Sequence, residues 1–210
     1  MKEHKTPSLF HYHNLGIETH PEVYDPAEDS FLLLESVHVN PTDTVLELGT
    51  GCGLIALACA QLGARVVCTD INPHAVQLTK KNIIRNQSLL KGNIEVRTGD
   101  LFSVIKRDEH FTVIIFNPPY LPTAPHKKKK DWPEVAVDGG TDGLQLIKRF
   151  IHEATHHLGP HGRLYFVFSS LADRVSLEHI LEDHGFTYEI LAGYVFDGEH
   201  LDVYGAMQKH

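Results

Sequence analysis

Four consecutive residues, Asn117-Pro118-Pro119-Tyr120, combine hydrogen-bonding groups and backbone rigidity in a way that can hold a flat amine or amide. Each proline lacks an N–H and fixes φ at about −65°, so carbonyls here stay open as acceptors, while the Asn117 carboxamide both donates and accepts. A planar NH2 group would give one N–H to the Asn117 side-chain oxygen and the other to a proline carbonyl, with the Tyr120 ring against its face. Its nitrogen lone pair would then point in one fixed direction. Asn-Pro and Pro-Pro are also common turn dipeptides, so a plain strand-terminating turn competes with this reading until the upstream residues are considered.

Acids at strand ends form a second pattern. Val45-Leu46-Glu47-Leu48-Gly49-Thr50-Gly51-Cys52-Gly53 reads as a strand running into a glycine loop, with Glu47 just ahead of the glycines. Such a loop lets the backbone approach a nucleotide-type ligand closely. The spacing is G-x-G-x-G, whereas the dinucleotide fingerprint requires G-x-G-x-x-G, and Glu47 would repel a phosphate. Glu47 instead suits a ligand that carries an ammonium group. Asp70 ends the next apolar run, where a carboxylate grips ribose hydroxyls. Asp100, followed by Leu101, ends a third. Any one of these acids alone reads as a solvated loop carboxylate. In register beside a glycine loop, they outline a crevice at the carboxyl ends of a parallel sheet.

An alternating framework is needed to bring these residues together. Strands are expected over 45–48, Arg65–Asp70, 93–98, Phe111–Phe116 and 162–169, with a closing pair over Phe186–Phe196 and 200–207. Helices are expected from Leu54, over about 73–86, over 141–157 and over 171–184. Pro73 suits a first helical position, and Leu144, Ile147, Ile151 and Ala154 recur with helical period. The alternation predicts an α/β, doubly wound, mostly parallel sheet with a C-terminal antiparallel hairpin. Residues 1–21 are expected as an N-terminal extension and 22–210 as one domain.

On these motifs the chain resembles the class I S-adenosylmethionine-dependent methyltransferases, whose sheet is Rossmann-like. Asn-Pro-Pro-Tyr resembles the subset that methylates planar nitrogens: amino-adenine DNA enzymes, guanine-N2 RNA enzymes and release-factor glutamine enzymes of the HemK type. Tyr24-Asp25-Pro26-Ala27-Glu28-Asp29-Ser30 is similar to the Y-x-P-A-E-D-[ST] stretch of the short archaeal and eukaryotic branch of that last family, as are Gly139, Gly140 and Gly143. The resemblance runs from about residue 23 to the C-terminus. It implies that Glu47, Gly49, Gly51 and Asp70 hold the amino-acid and ribose parts of S-adenosyl-L-methionine and Asp100 with Leu101 its adenine end. Ser30 and Asn117 are also implied to face the cofactor. Asn117, Pro118 and Tyr120 would orient the target amide as the catalytic set. The implied substrate is a glutamine in the Gly-Gly-Gln motif of a peptide chain release factor, with protein lysine, adenine N6 in DNA and guanine N2 in RNA as alternatives. The separate helical recognition domain of the bacterial branch is not expected in this chain, so recognition is expected to fall to loops or a partner. The implied partner is a small zinc-binding activator protein.

Charge and composition narrow the classes. With 27 acidic and 19 basic residues the net charge is −8, which argues against nucleic acid as a direct substrate. His126-Lys127-Lys128-Lys129-Lys130 is a local exception: either a solvated face, or a lip that meets an acidic protein or an RNA-associated partner. No run of about 18 apolar residues is present to cross a membrane, and Met1-Lys2-Glu3-His4-Lys5 has no apolar targeting core, so a cytoplasmic protein is expected. Cys52, Cys59 and Cys68 are expected as buried small hydrophobes. His152-Glu153-Ala154-Thr155-His156 matches H-E-x-x-H, the zinc protease pattern, but no strong third ligand follows, since His161 lies beyond Gly159-Pro160. A non-catalytic supporting subunit has no physical need for the polar ledge at Asn117. Finally, Ile83, Ile84, Leu89 and Leu90 crowd the approach to the third strand, which is expected at the sheet edge, where unpaired backbone groups invite an added strand. The activator is expected to dock there.

Overall fold

The computed structural model describes residues 7–123, 131–196 and 198–209. Its first elements, β1 (Leu9–Tyr12) and β2 (Leu15–Glu18), form an antiparallel hairpin absent from the sequence expectations. This part of residues 1–21 packs against the elements that follow. Leu15 and Ile17 are fully buried, clustered with Leu54, Leu57, Ala75 and Leu78. The segment then runs into α1 (Glu28–Ser36), whose Phe31 stacks against Tyr12.

The main body alternates β3 (Thr44–Leu48), α2 (Leu54–Leu62), β4 (Arg65–Asp70), α3 (Pro73–Asn86), β5 (Ile94–Thr98) and β6 (Phe111–Phe116). A short helix α4 (Trp132–Val135) and α5 (Gln145–Ala154) precede β7 (Leu158–Ser169), and α6 (Arg174–Asp183) leads to β8 (Phe186–Phe196) and β9 (Glu199–Gln208). Seven strands form one sheet in the order β5-β4-β3-β6-β7-β9-β8. β3, β4, β5, β6 and β7 pair in parallel, and β9 is antiparallel to both β7 and β8, as expected.

Both faces of this sheet are covered, which is why its strands read as continuous apolar runs. Along β6, Ile114 and Phe116 join the cluster beneath α5 and α6. Val113 and Ile115 join the opposite cluster with Leu33 of α1 and Ile55 and Cys59 of α2. α3 lies beneath the hairpin. Pro73 stands at its first position, and the Asn72 side chain accepts the His74 N–H at 2.9 Å as its cap.

Two helices start later than expected, each after an aspartate that accepts backbone N–H groups. Asp142 accepts the Leu144 N–H at 2.9 Å in the turn ahead of α5, whose first residue is Gln145. Asp173 accepts from Val175 and Ser176, which sets the start of α6 at Arg174. β7 begins at Leu158, four residues before the expected strand, passing through Pro160 and a left-handed His161 with a register shift against β6. The expected edge strand is confirmed as β5. The apolar residues beside it fold differently from expectation. Ile83, Leu89 and Leu90 are half-buried against the core clusters and only Ile84 of the four stands out into solvent.

Candidate active site

Strand order reverses between β3 and β6, the position at which α/β sheets open a crevice for ligands. The carboxyl ends of β3, β4, β5 and β6 meet there around a cavity of about 570 Å³, within the usual range for a small-molecule site. Glu47, Gly49, Gly51, Asp70, Asp100, Leu101, Ser30, Asn117, Pro118 and Tyr120 all line it, so every residue expected at the site converges.

Each is held by a local device. Gly51 has φ +57°, and a side chain there would meet nothing within 4 Å, so the loop leaves open space where a ligand can lie against the backbone. Asp70 fixes the loop to β4: one carboxylate oxygen accepts the Gly51 N–H at 2.9 Å and the other the Asn72 N–H at 2.8 Å. Burial nonetheless pushes its carboxyl above the usual range. Glu47 is buried and accepts the Thr50 hydroxyl at 2.7 Å. Burial, with Asp70 adding repulsion, pushes its pKa up to about 8. Leu101 is left-handed at φ +47°, a strained backbone for a leucine, which occurs mainly where surrounding structure enforces it for function. Asp100 sits at the rim and pairs with Arg149 of α5 at 3.0 Å, so its carboxylate is already partnered.

The Asn117 ledge rests on two supports. The loop after Tyr120 returns alongside it, with Leu121 N–H donating to Val137 at 3.0 Å and Gly139 N–H to Leu121 at 2.9 Å. Position 139 must be glycine, since a Cβ would come within 2.9 Å of the Pro119 carbonyl oxygen and the Tyr120 backbone. The second support is Asp29, which sequence reasoning missed. Its buried carboxylate accepts the Asn117 Nδ2–H at 3.1 Å, the Ser30 N–H at 2.7 Å and the Tyr24 hydroxyl at 3.4 Å. Burial, with the Asp29 charge close by, raises the pKa values of both Tyr120 and Tyr24. The opposite end of the Asn117 carboxamide, Oδ1, is buried without a hydrogen-bond partner.

The donor set decides what fits. Glu28, Asp29, Glu47, Asp70, Asp100, Asp138 and Glu199 line the cavity against one cation, Arg149, among the described residues. Such a lining favours a cationic ligand with an ammonium or sulfonium and opposes a phosphate. The family profile described as the methyltransferase small domain matches residues 14–193. The chain belongs to that family. The Methanocaldococcus jannaschii chain named as a protein N5-glutamine methyltransferase is 42% identical over 179 residues, covering 85% of this chain and 88% of that one. The methyltransferase HEMK2 of Homo sapiens is 33% identical over 168 residues, covering 75% and 76%. By structure, the Mtq2 chain of the E. cuniculi Mtq2–Trm112 complex, responsible for methylation of the eRF1 translation termination factor, superposes with TM-score 0.68 at 23% identity, covering 90% of this chain and 99% of that one. The methyltransferase uses S-adenosylmethionine, and the cation-fitting cavity and open glycine loop agree with that donor.

Cys52, Cys59 and Cys68 are buried, and burial pushes the Cys52 thiol up to about 12. His152 and Glu153 lie on α5, but the helix ends at Ala154, so His156 falls in the following turn with its ring edge-on to His152. Glu153 faces Arg149 at 3.7 Å, and among the described residues no three candidate ligands gather to hold a metal. His126 and Lys127 to Lys130 lie outside the described residues. Among the described residues no helix is long and apolar enough to cross a membrane.

Proposed function

We propose that this methyltransferase modifies the side-chain amide nitrogen of glutamine in a protein, the Gly-Gly-Gln motif of a peptide chain release factor being its substrate. The observation that carries the reading is Asn117, with Nδ2 committed to Asp29 and Oδ1 buried without a partner. An unmet buried acceptor costs about 1–3 kcal/mol, which a substrate N–H removes on binding. A planar amide offers two N–H groups in one plane, matching Asn117 Oδ1 and the Pro118 carbonyl, with Tyr120 against its face. Glu47, Gly49, Gly51 and Asp70 would hold the amino-acid and ribose parts of S-adenosylmethionine, Ser30 the side nearest the ledge, and Leu101 with Asp100 its adenine end. When bound, that donor supplies an electrophilic methyl group on a sulfonium.

An amide nitrogen is a weak nucleophile because its lone pair is delocalised. The residues here compensate by orientation and by accepting hydrogen bonds that strengthen as positive charge grows on the nitrogen. No strong base is required, since the amide proton is lost readily once the nitrogen is alkylated. The relatives named as glutamine methyltransferases support the same acceptor. A small companion protein docked along the β5 edge, zinc-binding by family resemblance, completes the reading. It is supported by the open edge, by exposed Ile84 and by the two-protein nature of the E. cuniculi complex.

Radiolabelled methyl transfer tests this directly, with a Gly-Gly-Gln release factor beside lysine-rich histone, DNA and RNA. Label should enter the release factor, and a Gln→Ala change in its motif should abolish incorporation. Preferential labelling of histone or nucleic acid overturns the substrate. Asn117→Ala should lower turnover by roughly 10² to 10³ while donor affinity stays within a few-fold, as for other lost transition-state contacts. Near-normal turnover would remove Asn117 from the mechanism.

A further inference from the structure

We propose that Asp29 is a positioning residue that sets which end of the Asn117 carboxamide faces the acceptor, and so makes the site accept N–H donors. This deepens the proposed function and rests on it. An asparagine side chain is nearly symmetric in shape, and a half-turn about its last bond exchanges an acceptor for a donor. Nothing in the Asn-Pro-Pro-Tyr sequence fixes that choice. If Nδ2 faced the substrate, the ledge would repel an amide N–H.

The surroundings of Asn117 remove the ambiguity. Asp29 Oδ2 lies 3.1 Å from Nδ2, and a carboxylate only accepts, so the opposite orientation would set two oxygens against each other. Ser30 Oγ, 3.4 Å from Nδ2, reinforces the same choice. Asp29 is itself immobilised. It is 4% exposed, and the Ser30 N–H, the Ser30 hydroxyl at 3.2 Å and the Tyr24 hydroxyl all point at it. A buried carboxylate is costly and is kept where its hydrogen bonds are used. Here three bonds hold the carboxylate and a fourth grips the Asn117 amide, whose far oxygen is the unpartnered acceptor. Asp29 needs no contact with the acceptor to act in this way.

The test is a double-variant cycle with Asp29→Asn, Asn117→Ala and both together, because residues that act through one another are non-additive. Asp29→Asn keeps shape and volume but accepts either orientation of Asn117. Turnover on a glutamine peptide should fall at least tenfold in this variant, with donor affinity within twofold of wild type. The double variant should be no slower than Asn117→Ala within twofold. Multiplying losses would show that Asp29 acts separately and overturn the inference. A second readout needs no turnover. The Asn117 side-chain amide signal in a ¹⁵N spectrum, assigned by its loss in Asn117→Ala, should be protected from solvent exchange in wild type and lose that protection in Asp29→Asn. An unchanged signal overturns the inference even where Asp29→Asn is slow. Wild-type transfer to the glutamine peptide judges the proposed function separately. If wild type prefers another nitrogen acceptor, that reading falls and the cycle is run on the preferred acceptor.

Discussion

Glu47 is the residue whose ionisation reports most directly on the site. Its folded pKa, raised to about 8 by burial, lies above the ordinary carboxylate value, so the native state binds a proton that the unfolded chain releases. The associated stability is therefore fully present below the unfolded value, is lost as pH rises from about 5 to 8, and is gone above that. Urea unfolding of wild type and Glu47→Gln across this window should give a difference curve falling by at most about 1.4 kcal/mol per pH unit. A flat difference curve would show that Glu47 is ionised in the folded protein. Affinity for the demethylated donor should rise over the same window, because an ammonium group pairs only with the ionised form. At this scale the sequence was legible where a residue type has few other uses at its position, as for Glu47, Asp70 and the Asn117 ledge. Asp29 was hidden because Glu28-Asp29-Ser30 reads as an ordinary acidic first turn of a helix. Only tertiary structure brings Asn117, 88 residues away, against it.

Among the elements, the N-terminal hairpin depends on two side chains that imitate a neighbouring strand. Asn82 accepts the Glu18 N–H at 2.9 Å and donates to the Glu18 carbonyl at 3.0 Å and the Cys52 carbonyl at 2.9 Å. One turn later Asn86 does the same for Gly16, with both bonds at 2.9 Å. Asn82→Ala should leave these backbone groups unmet and cost about 3 kcal/mol, lowering Tm by roughly 10 °C in a domain of this size. A change below about 2 °C by calorimetry would mean that the hairpin is held by its apolar contacts alone. The central strands were readable because burial on both faces writes them as unbroken apolar runs. The hairpin was not. Its strands are four residues long, and its turn, His13-Asn14, puts a histidine at φ +50° where a glycine would have announced a reversal. The helices at 141–157 and 171–184 were overextended for a related reason, since Asp142 and Asp173 read equally well as helix surface and as the turn or cap ahead of a helix.

For the molecule as a whole, the open edge of β5 is the docking surface proposed above for a companion protein. Ile84 is 67% exposed, so Ile84→Glu should leave the unfolding midpoint unchanged. It should disrupt co-elution with the companion on size exclusion. Leu90 cannot serve that test, because its half-buried side chain contributes to the core. Persistence of the complex in Ile84→Glu would move the docking surface elsewhere. The sheet order has a further consequence. β3, β4 and β5, on one side of the reversal, supply Glu47, Asp70 and Asp100, while the hairpin of β8 and β9 brings Tyr194, Glu199 and Leu201 to the same cavity from the far side. With the donor over β3, β4 and β5 as proposed, its cradle and the hairpin wall of the cavity are written on separate stretches of chain. A chimera that exchanges the hairpin tip between relatives should therefore keep the donor affinity of the parent that supplies β3 to β5, which calorimetric titration with the demethylated donor checks.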